Sequence, residues 1–327
     1  MIISRAPVRI SMGGGGTDLP SYYENHEGFL LAASINKYVH ILLNKRFEAS
    51  IRLSYSKTEI VNNINEIEHS IFRASLKYTG IKKQVEIVSV ADVPSNCGLG
   101  TSSTFTVALL STLFAYKREY LSLEKLAESA CHVEINLLHE PIGKQDQYAS
   151  TFGGFNAYTF HKDGKVTVEP VKINEGSLIE LQNNIFLFYL NKKRLASDIL
   201  KEQNKKTKEN NADVLKRLHQ IKNIGLQSKK ILEKNKINEF GELLNEHWLI
   251  KKGISKKISD SFIDEVYETA MKNGALGGKV IGAGGGGFLL FYCPYEKTKF
   301  LSALKKFGLI PTWFAFERDG VKTGFYN

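Results

Sequence analysis

Residues 94–103 read PSNCGLGTSS and run straight into the apolar stretch Phe105–Tyr116. A helix N-terminus carries amide donors with no intrahelical partner and the positive end of the peptide dipole, and glycines let an anion approach that backbone closely. The stretch therefore reads as a phosphate cradle, with Pro94, Gly98, Leu99, Gly100, Thr101, Ser102 and Ser103 as its candidate residues. It is not a Walker loop, G-x-x-x-x-G-K-[ST], because no lysine follows Gly100; the nearest imitation, Gly274–Val280, has one residue too few between its glycines and a valine in place of the hydroxyl. An ordinary capped turn is the plain alternative for the same residues.

Two further glycine runs flank this segment. APVRISMGGGGTDLPSYYE (6–24) passes from a strand-like stretch into four glycines, then Thr17 and Asp18, and KVIGAGGGGFLLFYC (279–293) sets glycines between two apolar segments. Gly282, Gly284 and Gly287 formally fit G-x-G-x-x-G, but that fingerprint must open a helix, and Phe288–Cys293 reads as a strand.

The ordered trio APVRIS…GGGTD, PSNCGLGTSS and GAGGGG resembles the three motifs of the GHMP kinases, a family that includes galactokinases, homoserine kinases, mevalonate kinases and phosphomevalonate kinases. The resemblance runs from Arg5 to about Phe291. Within the family, GGGGTDLP is most similar to the sugar 1-kinases that act on a heptose 7-phosphate, with fucokinase-type enzymes as the neighbouring branch. The resemblance implies an α+β fold of two domains, the N-terminal one like ribosomal protein S5 domain 2 and the C-terminal one ferredoxin-like, with ATP and acceptor between them. We place the boundary near residue 180, giving segments 1–180 and 181–327.

Phosphoryl transfer asks for positioning and charge neutralisation more than for covalent chemistry. The segment from Ser122 to His139 is expected to be a helix with an apolar stripe of Leu123, Ala127, Ala130, Cys131 and Leu138, on which Glu134 falls. A carboxylate facing inward is costly unless paired or beside a metal; an exposed glutamate at the stripe's edge is the bland reading. By resemblance, Glu134 and Ser102 are the Mg²⁺ ligands. Asp146, in a segment that reads as a turn, matches the aspartate beside the acceptor hydroxyl, where a base would stand; a turn cap is the alternative. Arg9 matches the basic residue next to that aspartate, and Asp18 the one that binds sugar hydroxyls. Galactokinases carry a glutamate and a histidine where this chain has Gly15 and Gly16, so the resemblance implies room around the sugar's far end. Gly14, Gly15, Gly16, Thr17, Asp18, Gly284 and Gly285 are accordingly expected on the substrate, and Arg194, with Lys192 and Lys193, on a distal phosphate.

The formal charge is +10, and Lys192–Lys236 holds fourteen basic against five acidic residues. That segment has no Phe, Tyr or Trp on which bases would stack, so nucleic acid is not the expected partner. No apolar stretch reaches the ~20 residues of a membrane span, no basic-then-apolar leader opens the chain, and the three cysteines lack metal spacing, so a cytoplasmic protein with reduced thiols is expected. The leading expectation is a sugar kinase that takes ATP, Mg²⁺ and a small sugar phosphate, and serves activated-heptose synthesis for surface glycans. The alternatives are another sugar 1-kinase or a relative that binds nucleotide or sugar phosphate without catalysis. Nothing in the sequence sets the oligomeric state.

Overall fold

The computed structural model describes residues 1–192 and 196–326. Its first half contains β1 (Ile2–Gly14), α1 (Pro20–His26), β2 (Gly28–Lys45), β3 (Ile51–Ser54), β4 (Thr58–Val61), α2 (Ser70–Thr79), β5 (Val85–Ala91), α3 (Thr101–Tyr116), α4 (Leu123–Cys131), α5 (Gln145–Phe152), β6 (Phe155–Phe160) and β7 (Val166–Pro170). Then follow α6 (Glu175–Asn184), β8 (Ile185–Tyr189), α7 (Ala196–Lys208), α8 (Ala212–Glu233), α9 (Ile237–Lys252), α10 (Ser261–Lys272), β9 (Gly277–Val280), β10 (Phe288–Tyr292), α11 (Lys297–Lys305), β11 (Pro311–Thr312) and β12 (Lys322–Phe325).

The strands make two sheets, giving the expected α+β fold. The larger has the order β12-β1-β2-β5-β3-β4, with β6 also on β2 and β7 on β6; the smaller has the order β11-β8-β10-β9 and is antiparallel throughout. β1 is closed off from water on both faces from Ala6 to Gly14, as befits a central strand. Its register on β2 shifts between Pro7 and Val8, where proline has no amide to donate. The chain changes sheets between β7 and β8, and then returns: β12 pairs with β1, so the last strand sits beside the first, which a single cut at residue 180 does not express.

One core lies between the larger sheet and α2–α4, where Phe72, Leu76, Val107 and Leu110 meet Ile41, Leu53 and Ile87. α3 is buried around nearly its whole girth, so its sequence is apolar without an amphipathic rhythm. A second core is common to both sheets: Val8, Ile10 and Leu31 pack with Leu187, Phe240, Leu244 and Leu290. A continuous apolar core across the junction holds the two halves in one arrangement. A third, under the smaller sheet, gathers Phe188, Trp248, Tyr267, Phe291 and Phe300.

Two local expectations change. The helix foreseen over Ser122–His139 is α-helical only to Cys131 and continues as a π-helical turn, His132–Leu137. The turn foreseen around Asp146 is the first turn of α5. Among the described residues, no helix is long and apolar enough to cross a membrane.

Candidate active site

The three glycine runs converge on a cleft of about 430 Å³ between the two halves. Gly98 and Gly100 adopt left-handed backbone (φ 85° and 78°), and Gly100 occupies the N-cap position of α3. A Cβ on Gly98 would stand 2.5 Å from the Ile281 carbonyl oxygen, and one on Gly282 would stand 2.7 Å from the Gly98 oxygen. The loop before α3 thus lies backbone to backbone on the last glycine loop, a contact that only glycine permits. No charged side chain occupies the first turn of α3, and Thr101, Ser102 and Ser103 line the cleft at that helix start.

Arg9 points from β1 into the cleft and is 2% exposed. Its guanidinium forms an ion pair with Asp146, at the start of α5, and donates to the Gly98 carbonyl at 2.8 Å. Gly100 is pressed against the same carboxylate, since its Cβ would fall 2.8 Å from Asp146 Cγ. One residue before Asp146, the Gln145 amide donates to Asp18 Oδ2 at 3.2 Å. Burial pushes the Asp18 carboxyl up to about 6; the nearby Asp146 charge adds to this, and the Gln145 hydrogen bond opposes it.

Glu134, on the π-helical turn, is 1% exposed and faces inward. Gln147 Nε2 donates to its Oε2 at 2.7 Å and Ser102 Oγ donates to Oε1 at 3.4 Å. Burial pushes this carboxyl up to about 7, against the hydrogen bonds it receives. The π-helical turn coincides with this inward carboxylate, in keeping with the frequent appearance of such turns at functional sites.

Most of the expected residues come together here: Arg9, Gly14, Gly15, Gly16, Asp18, Gly98, Gly100, Thr101, Ser102, Ser103, Glu134 and Asp146 all line the one cleft. Others do not. Thr17 is tied to β2, its hydroxyl donating to the Phe29 carbonyl at 2.9 Å and accepting from the Phe29 amide at 3.0 Å. Leu99 puts its side chain into the core shared by the sheets, and Pro94 receives the Thr101 hydroxyl hydrogen bond outside the cleft lining. Gly284 and Gly285 turn toward Ile258, and the last glycine run reaches the cleft through Gly282 and Ala283 instead. Lys192 forms an ion pair with Asp260, while Arg194 and Lys193 lie outside the described residues.

The cleft also holds three basic residues that sequence reasoning missed, His247 and Lys251 on α9 and Lys279 on β9. A signal existed for Lys279: a lysine within GGKVIG, an otherwise small and apolar strand. Gln147, which holds Glu134, and Gln203, which donates to the Gly16 carbonyl at 2.9 Å, carried no comparable mark.

The chain is similar to known proteins along its whole length. The profile of the GHMP kinases N terminal domain matches residues 67–154, and that of the GHMP kinases C terminal matches residues 228–308. The D-glycero-alpha-D-manno-heptose 7-phosphate kinase of Campylobacter jejuni is 32% identical, covering 98% of each chain. The bifunctional fucokinase/GDP-fucose pyrophosphorylase of Arabidopsis thaliana is 23% identical over 90% of this chain and 30% of its own. The crystal structure of a D-glycero-D-manno-heptose 1-phosphate kinase from Bacteroides thetaiotaomicron superimposes with a TM-score of 0.83 at 26% identity, covering 100% of both chains.

Proposed function

We propose that this chain, which belongs to the GHMP kinase family and is an ATP-dependent sugar kinase, phosphorylates the anomeric hydroxyl of D-glycero-D-manno-heptose 7-phosphate to give the 1,7-bisphosphate. The observation that carries the reading is the Arg9–Asp146 pair, set against the Gly98–Gly100 backbone at the start of α3. The similarity to the Campylobacter enzyme supports the acceptor, and the names of both heptose-specific relatives describe a heptose phosphate.

In this reading the amides at the start of α3 and the Gly98–Thr101 loop hold the ATP phosphates. The anomeric hydroxyl stands between Asp146 and the γ-phosphorus. Its oxygen forms the new bond to phosphorus, the bond to the β–γ bridging oxygen breaks, and ADP leaves; Asp146 takes the hydroxyl proton. Arg9 holds Asp146 in place through their ion pair and offers positive charge to the transferring group. Asp18 binds sugar hydroxyls, while Gly14, Gly15 and Gly16 leave space beside them.

The Glu134 carboxylate, buried and met only by an amide and hydroxyls, suits a cation: with Ser102 it would supply two hard oxygen ligands to Mg²⁺, leaving the remaining positions to phosphate and water. The metal would neutralise phosphate charge when bound. The enzyme would act in the cytoplasm, and its product would feed nucleotide-activated heptose synthesis for surface glycans.

The test is ADP release with ATP and Mg²⁺ over a panel of D-glycero-D-manno-heptose 7-phosphate, the unphosphorylated heptose, L-fucose, galactose and mevalonate. Turnover of the heptose phosphate far above the rest is expected. Preference for L-fucose would replace this reading with the fucokinase-like one, and silence throughout would leave a binding protein.

A further inference from the structure

Many basic side chains of this protein have an acidic neighbour: Lys206 meets Glu202, Lys229 meets Glu169 and Lys252 meets Asp264, each within 2.9 Å. The lysines in the cleft are different. Lys279 is 1% exposed, and its ammonium meets His247 Nδ1 at 3.4 Å. Lys251, one helical turn after His247, donates to the carbonyl oxygens of Val280 at 3.1 Å and Gly282 at 2.5 Å. Among the described residues neither ammonium forms an ion pair with a carboxylate, and the cleft carboxylate Asp146 is engaged by Arg9.

A buried ammonium without an anion is expensive to keep, and methionine or leucine in its place would ordinarily serve packing better. The buried Lys279 and the half-buried Lys251, beside a buried histidine and lining one cavity, therefore amount to an anion site whose anion is not part of the chain. Burial lowers Lys251 to about 7, with Arg9 adding to the effect, and burial pushes Lys279 well below the usual lysine range, with Lys251 and Arg9 adding. His247 is held well below its ordinary range by burial and by Lys279, so it is neutral and free to accept from an ammonium.

The nucleotide phosphates already have a cradle on the other wall, at α3. The lysines and His247 come instead from α9 and β9, in the C-terminal half, and line the cleft together with Ile221, Ile254 and Ile258. We propose that Lys251, Lys279 and His247 form a second anion subsite, which takes the phosphate that the sugar acceptor already carries and so selects phosphorylated over neutral sugars. This specificity rests on the acceptor reading given above. The role foreseen for Lys192 passes to these residues, since Lys192 is paired with Asp260.

The experiment uses the full-length protein and Lys279→Met, with Lys251→Met as a second variant. The ratio of kcat/KM for heptose 7-phosphate to that for the unphosphorylated heptose is expected to fall at least tenfold in Lys279→Met. A rise in KM for ATP with that ratio intact would assign the lysines to the nucleotide and overturn the proposal. Two measurements do not depend on turnover. Heptose 7-phosphate binding, followed by calorimetry in buffers of different ionisation enthalpy, should show proton uptake near pH 7.5 in the wild type, because an anion restores charge to the lysines. Inorganic phosphate should raise the wild-type melting temperature, and this shift should be clearly smaller in Lys279→Met. If the wild type ignores heptose 7-phosphate but keeps the Lys279-dependent phosphate shift, the acceptor reading fails and the anion subsite stands. An equal phosphate shift in wild type and variant would sink the subsite itself.

Discussion

Arg9 and Lys279 are both nearly sealed from water, at 2% and 1% exposure, and line the same cleft, yet they face opposite company. Arg9 is answered by Asp146 and the Gly98 carbonyl, so its charge is balanced within the fold. Among the described residues, the polar partner of Lys279 is a neutral histidine. On the proposed reading, the difference separates a cation balanced within the fold and used in chemistry from one held ready for a ligand.

The largest effect should come from the carboxylate that distinguishes the two sides. Asp146→Asn keeps the shape but cannot take a proton, and kcat should fall by about 10²–10⁴, with ATP affinity by calorimetry nearly unchanged. Turnover preserved alongside weakened ATP binding would remove Asp146 from the chemistry.

Next comes a contrast in stability between two similar truncations. Arg9→Met strips the partner from Asp146 and should destabilise the protein by up to about 3 kcal/mol, the partial exposure of Asp146 tempering the cost of its lost partner. Lys279→Met removes a buried amino group whose charge burial disfavours and no anion restores, and should raise stability by about 1 kcal/mol or more. Melting temperatures of the two ligand-free variants should therefore move in opposite directions. A drop in both would mean that Lys279 is compensated within the fold after all.

The Arg9 side of the cleft was largely legible in the sequence and the lysine side was not. Glycine runs in a fixed order are unambiguous because backbone contacts such as Gly98 against Ile281 exclude any other residue, and those contacts pointed to the loops around Arg9 and Asp146. The α+β class followed from the same motifs. What stayed hidden depended on long-range packing. Lys251 stands in an ordinary helix end, LIKKG, and only the fold shows which of its two lysines turns toward the Gly282 carbonyl. Likewise Asp146 was read into a turn because QDQYASTF is short and weakly patterned; α5 exists because Tyr148 and Ala149 pack into a cluster with Leu30 and Tyr158. Motif membership does not fix side-chain direction: Thr17, expected on the substrate, binds Phe29, and Leu99, expected in the phosphate cradle, puts its side chain into the core.

A smaller effect should appear in the pH dependence of the ligand-free protein. Glu134 and Asp18 have folded pKa values near 7 and 6, above their ordinary values of 4.5 and 3.8. Between those limits the folded state holds protons that the unfolded chain releases, so their contribution to stability falls as pH rises. Lys251, lowered from 10.5 to about 7, has the opposite sign: above 7 the unfolded chain holds the extra proton, so its contribution to stability rises with pH. Together these cleft groups should place a shallow minimum near neutrality on the melting-temperature profile. Glu134→Gln should lessen the acid-side slope, leaving the share of Asp18, and Lys251→Met the alkaline one, leaving the share of Lys279. Adding ATP, Mg²⁺ and the sugar phosphate should flatten both, and a profile with no dip in the wild type would contradict the picture of uncompensated cleft charges.

The smallest effect sharpens the comparison by supplying its baseline. Lys229 on α8 pairs with Glu169 at 2.9 Å, at a site where Glu169 is 54% exposed and water screens the attraction. Exposed pairs of this kind are worth about 0–1 kcal/mol, so Lys229→Ala should move the melting temperature by little more than the error of measurement and leave the preference for phosphorylated sugar untouched. The basic surplus around Lys192–Lys236 then counts for solubility and long-range attraction of anionic substrates, an influence that salt erases. Lys279 acts at contact distance and out of water, so the effect of the cleft lysines on sugar-phosphate selection should survive added potassium chloride far better than any contribution from α7 and α8. Equal loss of both with salt would place the selecting charge on the surface rather than at Lys279.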